Sequence, residues 1–430
     1  MKESALLRVE SALQLLPDLE TLAPLRALVL SIARADEQMQ WASAGPYLTV
    51  GKRGVDPAEL RRRMPELLES ISQHVGFLFG AYADALEAKE RGDGAEAVAA
   101  LLAAGQREEA GGRQLQARAW YEAARPIAAA LQSRRPESVC LQRLGGVYLD
   151  LGHYDEAARC FQRDLAIAEA EFDQGAAIAA SLGLGDTALA RGEWSGAKAW
   201  YQRAHRLAEA VGDAASTARV QRQLGILAHR RGDLTAAGDH LRRAREGFEA
   251  LGEAMELGRV LNAQGQVEAA LRRQSAAGAA FREALAWSHR APNDAPLEIA
   301  IRLNIAELAL ETDRLLAAEE DLRRAEEVAI AGNLPGLLVG IYTLMGKLRG
   351  LQHDETGFVF FEQAIELCRT LGRPQAEQGR VYHEYGSFRG RLGQGTEARA
   401  YLEQARDLFE ALGRTIEVAR VTEEIEQLSA

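Results

Sequence analysis

Every fortieth residue from 105 to 265 is a glycine: Gly105, Gly145, Gly185, Gly225 and Gly265. One inserted residue later, the same step continues as Ala306, Gly346 and Gly386. Twelve residues after each origin stands a second small side chain, in Ala117, Ala157, Ala197, Ala237, Ala277, Ala318 and Ala398. Sixteen after it stands a bulky one, in Tyr121, Phe161, Tyr201, Leu241, Phe281, Leu322 and Leu402. Nineteen after it comes Ala124, Ala204, Ala244, Ala284, Ala325 and Ala405, with Asp164 the exception. The unit that begins at Gly346 keeps this order after losing one residue, as Gly357, Phe361 and Ala364. A chain ruled this way is restricted to a row of similar units, each burying its apolar face on the next.

The spacing inside a unit predicts a helical hairpin. Positions 12, 16 and 19 lie four and three residues apart, so they share one face of a second helix. The origin lies in a first helix and is small because the two helices cross closely there. Seven residues after it, Gly112, Gly152, Gly192, Gly232 and Gly393 end the first helix in a left-handed cap. Gly212, Gly252, Gly372 and Gly413 end the second. Composition agrees: Ala, Leu, Arg, Glu and Gln dominate, only 6% of residues are aromatic and only 11 of 430 are proline, which favours helix and leaves little material for strands. The expected class is all-α, extended because 430 residues exceed one ordinary core.

The order L-G-x-x-Y followed by A, F and A is similar to the tetratricopeptide repeat and is clearest in LGGVYLDLGHYDEAARCFQRDLAIAEA at 144–170. The resemblance covers roughly residues 92–413, about eight hairpins, and implies an α-solenoid wound as a right-handed superhelix. The period of 40 resembles a long variety of that repeat. Six residues beyond the usual 34 add roughly 9 Å of helix per unit at 1.5 Å per residue. On this ruler GLGDTA at 183–188, which satisfies the wording of a dinucleotide fingerprint, falls in the middle of a first helix. The fingerprint works at a strand-to-helix turn, and no strand precedes it. Gly183 and Gly185 read as packing glycines.

Residues 1–91 do not follow the ruler and are expected to form a helical N-terminal cap. Asp56-Pro57-Ala58-Glu59 is a helix start, and Leu67, Leu68, Ile71, Val75, Leu78, Phe79, Tyr82 and Leu86 form an apolar stripe. Lys52, Arg53, Arg61, Arg62 and Arg63 make a small basic cluster in that region. Residues 414–430 read as a C-terminal helix with an acidic outer face that closes the row. With 51 basic and 62 acidic residues, a net charge of −11 argues against nucleic acid as a general partner. No run of 18 apolar residues and no secretion signal is seen, and Cys140, Cys160 and Cys368 stand at no metal-ligand spacing. A cytoplasmic protein without cofactor or metal is expected.

The resemblance further implies that first helices line a concave groove. Positions −6, −3, +1 and +4 from the origin then face it. Val139, Gln142, Leu149, Ala179, Leu182, Asp186 and Leu189 give a largely apolar stretch. Arg219, Arg222, His229, Arg259, Asn262 and Gln266 give a basic and amide-rich one, and Lys347, Arg380 and His383 a second, weaker basic zone. Arginine beside amides suits a carboxylate or phosphate, since the guanidinium fork pairs bidentately. These residues are candidates for holding a protein or peptide partner by an acidic segment or C-terminal carboxylate. Alternatively, the arginines pair with glutamates of neighbouring helices and remain solvated. No nucleophile elbow, phosphate loop or metalloprotease motif is present, so no catalytic residue is expected. A non-enzymatic scaffold or adaptor is the leading reading, with a ligand-responsive sensor or a structural subunit as alternatives.

Overall fold

The computed structural model describes residues 88, 91–110, 114–290, 294–332, 334–371, 375–412 and 414–428. The expected N-terminal cap, its basic cluster and Gly112, Gly372 and Gly413 lie outside the described residues. Among the described residues there are helices and no strands. In chain order they are α1 (Gly94–Ala110), α2 (Gln114–Ala129), α3 (Arg135–Asp150), α4 (Tyr154–Ala170), α5 (Gln174–Ala190) and α6 (Trp194–Val211). Then come α7 (Ala214–Arg230), α8 (Leu234–Leu251), α9 (Ala254–Ala270), α10 (Gln274–Ser288), α11 (Ala295–Glu311) and α12 (Leu315–Ala331). The series ends with α13 (Pro335–Leu351), α14 (Gly357–Leu371), α15 (Gln375–Arg391), α16 (Gly395–Ala411) and α17 (Thr415–Gln427). Each odd-numbered helix from α1 to α15 pairs with the one after it, and each pair packs on the next, making an all-α solenoid.

The origin residue is small for a more specific reason than a close helix crossing. The ring at position 16 of the second helix lies flat against the backbone there. A Cβ on Gly105 would stand 2.3 Å from Tyr121 Cε1, on Gly185 2.4 Å from Tyr201 Cε1, and on Gly265 2.4 Å from Phe281 Cδ1. Gly346 meets Phe361 in the same way at 2.6 Å, so the residue lost in that unit does not break the pairing. The two glycines of GLGDTA serve different rings. Gly185 receives Tyr201 of its own unit, while Gly183 receives Phe161 of the preceding unit, whose Cε1 would be 2.4 Å from an added Cβ. Phe161 is thus wedged between Gly145 and Gly183, joining two hairpins.

Core clusters cross unit boundaries accordingly. Ile178, Leu182, Tyr201, Ala204, Val220 and Leu227 form one cluster from α5, α6 and α7. Each fully buried aliphatic or aromatic side chain contributes about 1.5–3 kcal/mol. Helix starts are set by Asp173, Asp213, Asp233 and Asp294, whose carboxylates accept from backbone amides at 2.9, 2.9, 3.1 and 3.1 Å.

The turn seven residues past the origin requires left-handed backbone whether or not glycine is there. Gly152, Gly192, Gly232 and Gly393 have φ of 77°, 78°, 79° and 74°, and Arg272, Asp313 and His353 occupy the same slot at 60°, 56° and 54°. Those three carry the strain an L side chain meets there. The irregular unit near 350 has its own cause: Gly350 and Gly357 both close on Phe388, each 2.7 Å from it for an added Cβ. Phe388 in turn meets Phe358 edge to face, packs tilted against Phe361 and stacks with Tyr385. This aromatic knot displaces the regular register.

The ring-on-glycine contact is tested at Gly265. Gly265→Ala should destabilise the protein by about 1–3 kcal/mol through overpacking against Phe281. Ala306 sits opposite Leu322 in the same slots, so the Gly265→Ala/Phe281→Leu pair should recover about 1 kcal/mol relative to additivity. Urea unfolding of the four-member cycle gives the coupling; strict additivity would contradict the contact.

Candidate functional site

The first helices present an inner stripe whose polar side chains are bonded from one unit to the next. Asp186 accepts from Gln223, Asn304 accepts from Gln266 at 3.4 Å, Lys347 donates to Glu384 at 3.1 Å, and Ser387 donates to Glu424 at 2.5 Å. Each bond joins residue +1 of one unit to a residue 37 or 38 positions on, one step along the solenoid. Asn304 also donates to Asn262 at 2.8 Å, and His383 Nε2 shares a hydrogen bond of 2.8 Å with Glu424. The result is a polar staircase. Burial raises the Glu424 carboxyl, but its bonds with His383 and Ser387 outweigh that and hold it below the ordinary range.

The arginines expected to form a free basic ladder are in part neutralised. Arg259 pairs with Glu256 and with Asp294, both at 3.0 Å. Arg222 lies 3.5 Å from the other oxygen of Glu256, an electrostatic contact without hydrogen-bond alignment. Arg222, Glu256, Arg259 and Asp294 therefore alternate in charge, which accords with the alternative that these arginines pair with acids of neighbouring helices. The acids come from the first turn of the following first helix and from a helix cap. Both places lie outside the four positions that define the stripe.

Arg219 and Arg380 are exposed, and neither makes a hydrogen bond or ion pair with a described residue. His229 is half-buried beside Arg230, and burial first, then that arginine's charge, lowers its pKa. The apolar stretch also needs correction. Leu182 and Leu189 belong to the core around Tyr201, being 6% and 9% exposed, whereas Val139, Gln142, Leu149 and Ala179 are half-buried.

Glu307 is exposed by area, yet burial is the largest influence on its carboxyl and raises it, opposed by Lys347 and Arg380 and reinforced by Glu384. Asp186 is similar: burial raises it, against hydrogen bonds from Tyr201, at 2.6 Å, and Gln223. Burial likewise lowers the pKa of Arg222, with Glu256 opposing.

Another depression, of about 750 Å³, is lined by Arg302, Leu316, Glu319, Asp321, Arg323 and Arg324. Its charges are matched internally, Arg302 with Asp321 at 3.1 Å and Arg323 with Glu319 at 2.8 Å, so the inner stripe remains the better candidate.

Stacked helical hairpins with a bonded inner face define a repeat solenoid, the class to which the geometry assigns this protein. The family is named by comparison: models of the tetratricopeptide repeat match residues 140–170 and 175–250. Over those segments the chain carries tetratricopeptide repeats.

Among solved structures, it is similar to a Rap protein complexed with competence and sporulation factor, with a TM-score of 0.50 and 11% identity over 78% of this chain and 98% of that one. It also resembles the Rap conjugation gene regulator of plasmid pLS20 in complex with the Phr* peptide, at 0.48 and 16% over 79% and 96%. A tetratricopeptide repeat protein from Parabacteroides merdae aligns at 0.42 and 16% over 68% and 99%. No curated protein sequence matches the chain. Among the described residues, no helix is long and apolar enough to cross a membrane.

One buried carboxylate gives a stability test of this region. Asp164, the exception in the small-residue column, is fully buried; Ser138 Oγ donates to it at 2.5 Å, and its other oxygen has no hydrogen-bond partner. Burial pushes its pKa up to about 6, against the bond from Ser138 and the nearby Gln142 amide. The folded state thus holds this proton more tightly than the unfolded chain, so Asp164 lowers stability progressively as pH rises from about 4 to about 6. Asp164→Asn should therefore stabilise the protein by about 1–3 kcal/mol at pH 8, with the gain shrinking below pH 5. Melting curves at the two pH values check the sign.

Proposed function

We propose that this is a non-enzymatic binding module that holds an extended peptide or protein segment along the inner face of its solenoid. The reading is carried by one observation: accessible polar groups, Arg219, Arg259, Asn262, Gln266, Glu307, Lys347, Arg380 and His383, lie along consecutive first helices at the repeat spacing. An extended segment offers backbone amides and carbonyls at regular intervals, and Asn and Gln, each donor and acceptor, suit them. Arg219 and Arg380, which have no ion-pair partner among the described residues, are the positions suited to an acidic side chain or C-terminal carboxylate. A Rap protein of similar fold was captured with a bound factor, which supports this use of the architecture.

A sensor role is the second reading, favoured because the staircase bonds join adjacent units. A ligand that competes for Asn304 or Glu384 changes how one hairpin sits on the next.

The test selects peptides from a displayed random library on the wild-type protein and remeasures them on Asn262→Trp, which fills the inner face. Binding should weaken at least tenfold, while Arg324→Trp, on an exposed second-helix position, should leave it unchanged. Equal binding to Asn262→Trp, or failure to select any peptide, rejects the proposal.

A further inference from the structure

Three consecutive turns between units are closed alike. The amides of Asp173, Asp213 and Glu253 reach back to the carbonyls of Ala168, Ala208 and Phe248 at 2.8, 2.9 and 3.1 Å, so the residues just before them share one slot. The slot takes left-handed backbone. Gly212 and Gly252 fill it with φ of 70° and 71°, whereas Phe172 fills it with φ of 55°. Phe172 is also 84% exposed, more than any other large apolar side chain among the described residues. A side chain meets steric strain in this conformation, and a ring left in water recovers none of that cost inside the fold. Glycine at the next two turns shows that the turn itself does not need the ring.

The neighbouring turns extend this apolar edge. Val211 and Leu251 end α6 and α8, and Met255 lies in the first turn of α9; all three are exposed. Helix α5 touches α7 and α7 touches α9, so the three turns stand side by side, roughly 8–10 Å apart. Acids flank each tip: Glu171 and Asp173, Glu209 and Asp213, Glu249 and Glu253. No lysine or arginine occurs in 166–190, 207–218 or 246–258. Glu209 and Glu249 pair with His205 and Arg245 of their own helices at 3.1 and 2.7 Å. The carboxylates of Glu171 and Glu253 have no ion-pair or hydrogen-bond partner among the described residues. The pattern stops at both ends, because the preceding inter-unit turn exposes Arg134 and Arg135 and the following one His289 and Arg290.

We infer that this edge, anchored by Phe172, docks a partner protein that offers an apolar pocket rimmed by lysine or arginine. An exposed aromatic among further exposed apolar side chains is the kind of group that dominates an interface, and here its place in the turn has no other use. The surrounding acids, two of them unmatched, select a basic rim and repel an acidic one. Like charge disfavours a second copy of the same edge and an anionic lipid surface alike. The edge lies on the turns and not on the inner stripe, so the inference stands if the peptide reading fails.

The test selects peptides from a displayed random library on the full wild-type chain, after depletion on Phe172→Gly, which removes binders of every other surface. The enriched peptides should combine lysine or arginine with aromatic or aliphatic residues. Their binding should weaken roughly tenfold on Val211→Ser/Leu251→Ser and on Glu171→Gln/Glu253→Gln, and should be unchanged on Asn262→Trp. Phe172→Gly places at this turn the residue found at the next two, so it should melt no lower than the wild type. A lower melting temperature assigns the ring to the fold and overturns the inference. So does failure to enrich any peptide, enrichment of acidic peptides, or equal binding to the two double variants. Sedimentation that shows a dimer dissociated by Phe172→Gly gives the edge to a second copy instead. Binding to neutral phosphatidylcholine vesicles that the same substitution abolishes gives it to a membrane, and either result rejects the basic partner.

Discussion

An aromatic or leucine side chain pressed onto bare backbone is the contact on which this architecture rests. Two helices of 15 to 18 residues could cross in many ways, and the glycine at the origin selects one by letting the ring of position 16 sit where a Cβ would be. The choice recurs at each unit, so the angle between hairpins recurs as well. Phe161 shows how the contact propagates: wedged between Gly145 and Gly183, it belongs to two units, and the row cannot slide without expelling it. Stability in such a row is set between neighbours more than within units.

The fold was legible because this contact writes itself into the sequence as a ruler. A glycine and a ring sixteen residues apart survive as a pattern even where one residue is gained, near Ala306, or lost, between Gly346 and Phe361. The turns were legible for a similar reason, although Arg272, Asp313 and His353 hide the slot behind side chains that tolerate it poorly. The inner face was less legible. Reading four stripe positions found Arg222 and Arg259 but passed over their acids, because Glu256 and Asp294 enter from a helix start and a cap. The stripe also placed Leu182 and Leu189 in the groove, whereas the ring of Tyr201 draws them into the core. A signal for the staircase was nonetheless present: polar residues 37 or 38 apart, as in Asp186 with Gln223 and Lys347 with Glu384.

Charge along the inner face follows from how a solenoid differs from a globule. Each first helix has neighbours on two sides and solvent on a third, so its charged groups are only half desolvated. Groups so placed pair where a neighbour supplies a partner and stay unmatched where none does. Arg259 between Glu256 and Asp294 illustrates the first outcome, and Arg219 and Arg380 the second. Recognition by such a surface depends more on the unmatched positions than on the total charge of −11.

Asp186 ties the two roles of the chain to a single carboxylate. One of its oxygens accepts both from Tyr201, the ring that packs on Gly185, and from Gln223 of the following unit. Tuning of selectivity at this slot is therefore constrained by the framework. A residue exchanged here to suit a new guest also loosens a hairpin, so diversification of this lining is freer in units without such a tether.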